Sequence, residues 1–337
     1  MVLDVWKDIK RKQFAPVYLL LGNESYLINE TKQLLIEHAL SEDELDFNFA
    51  QFDLEETPIE TALEDAETMP FIGERRLVFL MNPFFLTAEK NKSKVEHNVK
   101  KLEQYLADPA PFSIIVLVAP YEKLDERKKI TKELKRNAAL FEAKKLSEHD
   151  LKTWTKERAA AAQVEMDDSA IEMLLELAGT NLMMLANEMD KMILYVEEER
   201  TIDVETVEKL VAKSLEQNVF TLVDHLLQRN IEPALTIYHE LLRQNEEPIK
   251  ILGVIASQVR LMYQVKGLSK QGYSQQKIAS ALKIHPYRVK LAFQKNGKFD
   301  ERELLAIIND LAEADYKMKT GQIEKAIALE LLLMKMR

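Results

Sequence analysis

Residues 16–21, Pro-Val-Tyr-Leu-Leu-Leu, are a short apolar run that ends on Gly22-Asn-Glu-Ser-Tyr-Leu. That pattern predicts a buried strand, a loop, and a helix continuing through Leu35 and Ile36. Three more runs have strand character: Phe47 to Asp53 alternates, Arg76 to Leu80 is apolar after its arginine, and Phe112 to Ala119 reads Phe-Ser-Ile-Ile-Val-Leu-Val-Ala. Between them, Ile59–Glu67 and Val95–Leu106 have helical spacing. Strands alternating with helices predict a mostly parallel α/β sheet.

After about residue 140 the strand signals stop and helix follows helix, with breaks near Gly179-Thr-Asn, Glu197 to Thr201, Asn230 and Asn296-Gly297. A boundary is expected near Phe141, ahead of Ser147-Glu-His-Asp150, where Ser147 caps a helix and Asp150 sits at the third following position. A second is expected near residue 211. The predicted organisation is 1–140 as an α/β domain, 141–210 as a small helical domain and 211–337 as a larger helical domain. Composition agrees: 8 glycines, 10 prolines and 7% aromatic residues in 337, against abundant Leu, Ala, Glu and Lys, favour helices.

Charge and cysteine content narrow the function classes. A formal net charge of −10 argues against nucleic-acid binding over the whole surface, leaving room for a local basic face. With no cysteine there is no disulfide and no thiolate chemistry. The start Met-Val-Leu-Asp-Val-Trp lacks the basic and apolar segments of a signal peptide, and no apolar run approaches membrane-spanning length. A cytoplasmic protein without a membrane partner is the expectation.

The strand, glycine and helix at the chain's start stand where a nucleotide-binding P-loop would, and they fail its pattern. Counting from Gly22, Leu27 takes the second glycine position, Ile28 the lysine and Asn29 the hydroxyl, while Glu24 puts a negative charge where phosphates would lie. No lysine reaches phosphate and no hydroxyl reaches Mg²⁺. The strand at Leu77–Leu80 runs into Met81-Asn-Pro and that at Val116–Ala119 into Pro120-Tyr121, so neither ends in a Walker-B Asp-Glu. Gly22 therefore reads as a structural turn. The six histidines form no His-Glu-x-x-His, and Gly-x-Ser-x-Gly is absent. No catalytic site, metal or cofactor is expected.

Two stretches suggest binding instead. In residues 274–290, Ile278, Ala279, Leu282, Ile284 and Val289 have helix-turn-helix spacing, with Ser274 as cap, Pro286 opening the second helix, and Lys283, Arg288 and Lys290 as possible phosphate contacts. Lys283 replaces the usual turn glycine, and ordinary helix packing is favoured over a DNA-binding regulator. The other stretch is Met69-Pro-Phe-Ile72, apolar and followed by Gly73-Glu-Arg-Arg76. It either plugs the edge of its own sheet or forms a recognition tip, with Phe71 as anchor and Met69 and Pro70 as flanks.

The ordered set of blocks resembles the delta subunit family of the bacterial DNA polymerase III clamp loader. Pro16 to Leu27 and Met69 to Val78 are followed by Glu122-Lys-Leu-Asp-Glu-Arg-Lys128, Gly179-Thr-Asn-Leu-Met-Met-Leu-Ala-Asn-Glu-Met-Asp-Lys191, Glu247-Pro-Ile-Lys-Ile-Leu252, His285-Pro-Tyr-Arg-Val-Lys290 and Asp315-Tyr-Lys-Met-Lys-Thr-Gly321. The resemblance covers essentially the whole chain. It implies an AAA+-like α/β domain, a small helical lid and a C-terminal helical collar that joins a pentameric ring. It further implies a non-catalytic subunit of the holoenzyme, whose complex activity is that of a DNA-directed DNA polymerase, a nucleotidyltransferase. The implied partners are the sliding clamp (beta), the ATPase subunits (gamma/tau), delta prime, and primed DNA within the assembled complex. Such a subunit opens the clamp with an apolar wedge and does not hydrolyse ATP. The wedge maps onto Met69, Pro70, Phe71 and Ile72, with Phe71 its aromatic member and Pro70 or Met69 the second contact.

Overall fold

A computed structural model describes residues 2–88, 95–197, 200–295 and 300–335. It divides into two compact units, Met1–Lys145 and Leu146–Arg337. The first runs α1 (Val2–Lys10), β1 (Val17–Gly22), α2 (Ser25–Ala39), α3 (Glu42–Asn48), β2 (Phe49–Asp53), α4 (Ile59–Ala66), β3 (Arg76–Met81), α5 (Val99–Ala107), β4 (Ser113–Ala119), α6 (Lys129–Asn137) and β5 (Ala139–Ala143). Its strands form one parallel sheet in the order β2-β3-β4-β1-β5. Val17 stands opposite Ile115, and Tyr18 opposite Ala139. β1 and β4 are buried along their whole length, as their unbroken apolar runs require of strands covered on both faces. One face packs Val17, Leu19 and Leu21 with Val78, Leu80, Ile115 and Leu117 against α4, α5 and α6.

Three expectations change here. Phe47 and Asn48 belong to a helix, and the strand begins only at Phe49. The cause is local: Ser41 and Glu44 form a capping box that starts α3 at Glu42, and the helix outlasts the alternation that begins at Phe47. The expected helix at Val95 starts at Val99. The predicted boundary at 140 falls inside β5, which pairs with β1 from Ala139 to Ala143. This edge strand is short, and its apolar run stops at exposed Glu142, so it lacks the long unbroken run that marks β1 and β4. An unexpected α1 lies beside it, with Trp6 stacked on Phe141 at 6.3 Å and its indole N–H donating to Thr31 Oγ1 at 2.8 Å.

The second unit comprises α7 (Glu148–Ala161), β6 (Glu165–Met166), α8 (Asp168–Ala178), α9 (Leu182–Tyr195), β7 (Thr201–Ile202), α10 (Val204–Leu210), α11 (Leu215–Leu227), α12 (Ile231–Arg243), α13 (Pro248–Lys270), α14 (Gln275–Leu282), α15 (Pro286–Lys295), α16 (Glu301–Lys319) and α17 (Lys325–Lys335). The parallel pair β6-β7 interrupts what was expected to be all helix. Side-chain caps start many of these helices: Asp167, Asn181, Asp203, Ser214 and Ser274 each accept the N–H three residues on, and Ser147 forms the expected capping box with Asp150. Each cap contributes about 1 kcal/mol. A continuous core extends from Val219 to Leu333. The expected breaks at Gly179 and Asn230 are present, whereas the one at Asn296-Gly297 lies outside the described residues. Among the described residues, no helix is long and apolar enough to cross a membrane.

Candidate functional site

The link from α4 to β3 lies at the edge where the parallel strands begin. In it Met69 is 75% exposed and Phe71 78%, Ile72 is also exposed, and Pro70 is half-buried. Such a group of apolar side chains in water needs a fixed frame or a partner, and the frame comes from the last turn of α3. The buried Asn48 carboxamide acts like a neighbouring strand: its Oδ1 accepts from Phe71 N–H at 3.1 Å and its Nδ2 donates to Ile72 C=O. Phe47 stacks on Phe71, with ring centroids 5.4 Å apart and planes at 29°.

Two further groups hold the frame. The Arg76 guanidinium donates to both carboxylate oxygens of Asp65 on α4 and, through Nη1, to Phe47 C=O at 3.2 Å. A forked cation thereby joins the two elements flanking the tip to the start of β3. Gly73 turns the chain at φ +75°, and a Cβ there would lie 1.5 Å from Glu44 Oε1. The positive φ is what favours glycine there, and a side chain would also have to displace the end of the Glu44 side chain. Glu44 is itself held by the Ser41 N–H and hydroxyl, which keep its carboxyl below the usual carboxylate range.

At the other edge of the sheet, the carboxyl end of β1 is where a parallel sheet would bind a ligand. Here it is filled by the protein itself. Gly22 has φ +140°, and a Cβ on it would sit 2.0 Å from Ala143 C=O, which also accepts Glu24 N–H at 3.0 Å. Leu27 and Ile28, in the second-glycine and lysine positions of a P-loop, are turned into the core at 0% and 6% exposure, and Asn29 faces solvent.

The expected helix-turn-helix residues occupy α14 and α15. Ile278, Ala279 and Val289 are buried, and Lys283 supplies the turn's left-handed residue at φ 54°. Lys290 Nζ lies 3.0 Å from Glu148 Oε1, Arg288 Nη1 lies 3.9 Å from Glu216 Oε2, and His285 Nε2 bonds Leu146 C=O. Both cations face carboxylates of their own unit. Replacing Arg288 and Lys290 together by alanine is therefore expected to leave DNA affinity within about twofold and to cost under about 1 kcal/mol of stability, since such pairs are largely solvated. Fluorescence anisotropy with duplex DNA at two salt concentrations measures the first; a salt-dependent loss of several-fold would reinstate this face as a phosphate contact.

Sequence reasoning located the apolar tip but missed its frame. Phe47 and Asn48 read as strand residues, Arg76 as the first residue of a strand, and Asp65 only as one position of a helical stretch; the Ser41-x-x-Glu44 box was the local signal that a helix starts at Glu42.

Comparison with known proteins accounts for nearly the whole chain. Residues 18–144 match the family model described as DNA polymerase III, delta subunit, residues 216–336 the model for the C-terminal domain of that subunit, and residues 147–209 a model described as a middle domain. DNA polymerase III subunit delta of Bacillus subtilis (strain 168) is 46% identical over 336 residues, covering 100% of this chain and 97% of that protein. A probable delta subunit of Aquifex aeolicus (strain VF5) is 26% identical over 295 residues, covering 85% and 81%. The solved Bacillus subtilis DNA clamp loader delta protein (YqeN) superposes with a TM-score of 0.81 at 46% identity, covering 100% of this chain and 99% of the other.

Proposed function

We propose that this chain, which belongs to the family of DNA polymerase III clamp-loader delta subunits, binds the sliding clamp through Met69, Phe71 and Ile72 and opens its ring for loading on primed DNA. The observation that carries the proposal is the tip itself: a phenylalanine 78% exposed, yet fixed by Asn48, Phe47 and Gly73. An aromatic anchor held rigid in water is what a hydrophobic pocket on a partner selects, because little ordering remains to be done on binding. Met69 serves as the second contact, since Pro70 is half-buried against the turn.

Ring opening follows as a population shift. If the pocket is better formed in a clamp whose subunit interface has parted, binding there favours the open state by the difference in affinity and by nothing more. The chain acts without hydrolysing ATP, its strand end being closed by Ala143 and its would-be lysine replaced by buried Ile28. ATP turnover belongs to the gamma/tau ATPase partners, which with delta prime would complete the ring. Within Leu146–Arg337, residues up to 210 serve as a lid and the helices from α11 onward as the collar. An exposed tip requires no partner to uncover it. Titration of the isolated chain with the cognate clamp by calorimetry is therefore expected to show saturable one-site binding, with no Mg²⁺-ATP binding in the same cell; absence of clamp binding would sink the proposal.

A further inference from the structure

Phe47 lies outside the tip in sequence and against it in space. Its side chain closes no core: it is 52% exposed and stacks on Phe71 at 5.4 Å. The neighbouring bonds that fix the tip do not use it, because Arg76 holds the Phe47 main-chain oxygen and the Phe71 amide rests on Asn48. The ring could be lost without loosening either. A large apolar side chain kept half in water, on a helix end whose fold does not need it, calls for a use at the surface.

We infer that Phe47 is the second ring of the clamp-docking surface, presetting the Phe71 side chain and entering the same apolar pocket of the clamp. This rests on the clamp-binding reading of residues 69–72. The near-parallel stack restricts Phe71 before contact, so rotamer freedom otherwise lost on binding is already lost in the free chain. The stack also widens the anchor from one ring to two, so the pocket it fits is an apolar slot able to take the stacked rings of Phe47 and Phe71. Phe47 is a positioning residue for Phe71 as well as a contact, and the two roles make its contribution depend on the presence of the Phe71 ring.

The test uses the full chain and its cognate clamp. Phe47→Ala is expected to weaken binding about three- to tenfold, mainly through faster dissociation, and Phe47→Tyr to restore it to within twofold. In a Phe71→Ala background the same change is expected to cost markedly less, the mark of coupled rings. A second readout needs no clamp. With trifluoromethyl-phenylalanine placed at position 71 alone, Phe47→Ala should shift and sharpen the fluorine resonance as the stacked ring is removed. If wild type binds and Phe71→Ala does not, while Phe47→Ala binds like wild type, the inference is wrong and the clamp reading survives. If wild type fails to bind, the clamp reading falls first and the inference with it. An unmoved fluorine signal overturns the positioning role in either case.

Discussion

Clamp affinity of the Phe71→Ala chain is expected to fall by well over tenfold with the fold intact. Phe71 projects from the link between α4 and β3, and most of its surface is already in water, so truncation removes little native packing beyond the stack on Phe47. The cost to stability should stay within about 1 kcal/mol, the range for an exposed aromatic pair. The cost to binding is of another order. Removing a central aromatic anchor typically loses about 2 to 4 kcal/mol, and every 1.4 kcal/mol is about tenfold in affinity. Calorimetric titration of both chains against the clamp, with circular dichroism to confirm folding, separates the two effects. Unchanged affinity in a folded variant would return Phe71 to a purely local role.

Rebuilding the P-loop has the larger expected effect on stability. Leu27→Gly, Ile28→Lys and Asn29→Thr together would complete the motif that begins at Gly22. The structure predicts collapse. Leu27 is wholly buried and Ile28 nearly so. Emptying a buried leucine position costs about 2–5 kcal/mol and a helical glycine about 1 more. An ammonium at position 28 would enter a site packed for a hydrocarbon and would have to shed its proton or drag water inward. Against a typical total stability of about 5–15 kcal/mol, the triple variant should melt at least 15 °C lower or fail to fold. Thermal melting with a fluorescent ATP analogue in parallel checks this; a folded variant that binds Mg²⁺-ATP would overturn the account of the strand end as filled.

The parts legible in the sequence are those set by strong periodicity or by a residue with one use. β1 and β4 show as unbroken apolar runs, Gly22 and Gly73 as turns, and Ser147 as a cap, and each appears where expected. β5 escaped notice because its apolar run is broken at Glu142, and its pairing with β1 is a long-range contact that no local window contains. The tip was legible as a group of apolar residues beside a glycine, but not the bonds that frame it. Asn48 is an unremarkable polar residue until the chain brings it beneath Phe71, and Asp65 and Arg76 become a brace only when α4 and β3 are side by side. Local pattern identified which apolar side chains stand together in the tip, while the fold determines what they are held by.

If residues 69–72 dock on the clamp as proposed, the Asn48 carboxamide has a consequence for any short mimic of residues 68–75 meant to block that contact. Its two bonds to the tip come from a different stretch of chain, as do the Phe47 ring and the Glu44 carboxylate beside Gly73. A linear peptide would carry every apolar contact of the loop and none of its scaffolding, leaving conformational entropy to be lost on binding. An inhibitor built on this template would need a macrocycle whose bridge imitates a single asparagine, offering one acceptor to the amide of Phe71 and one donor to the carbonyl of Ile72.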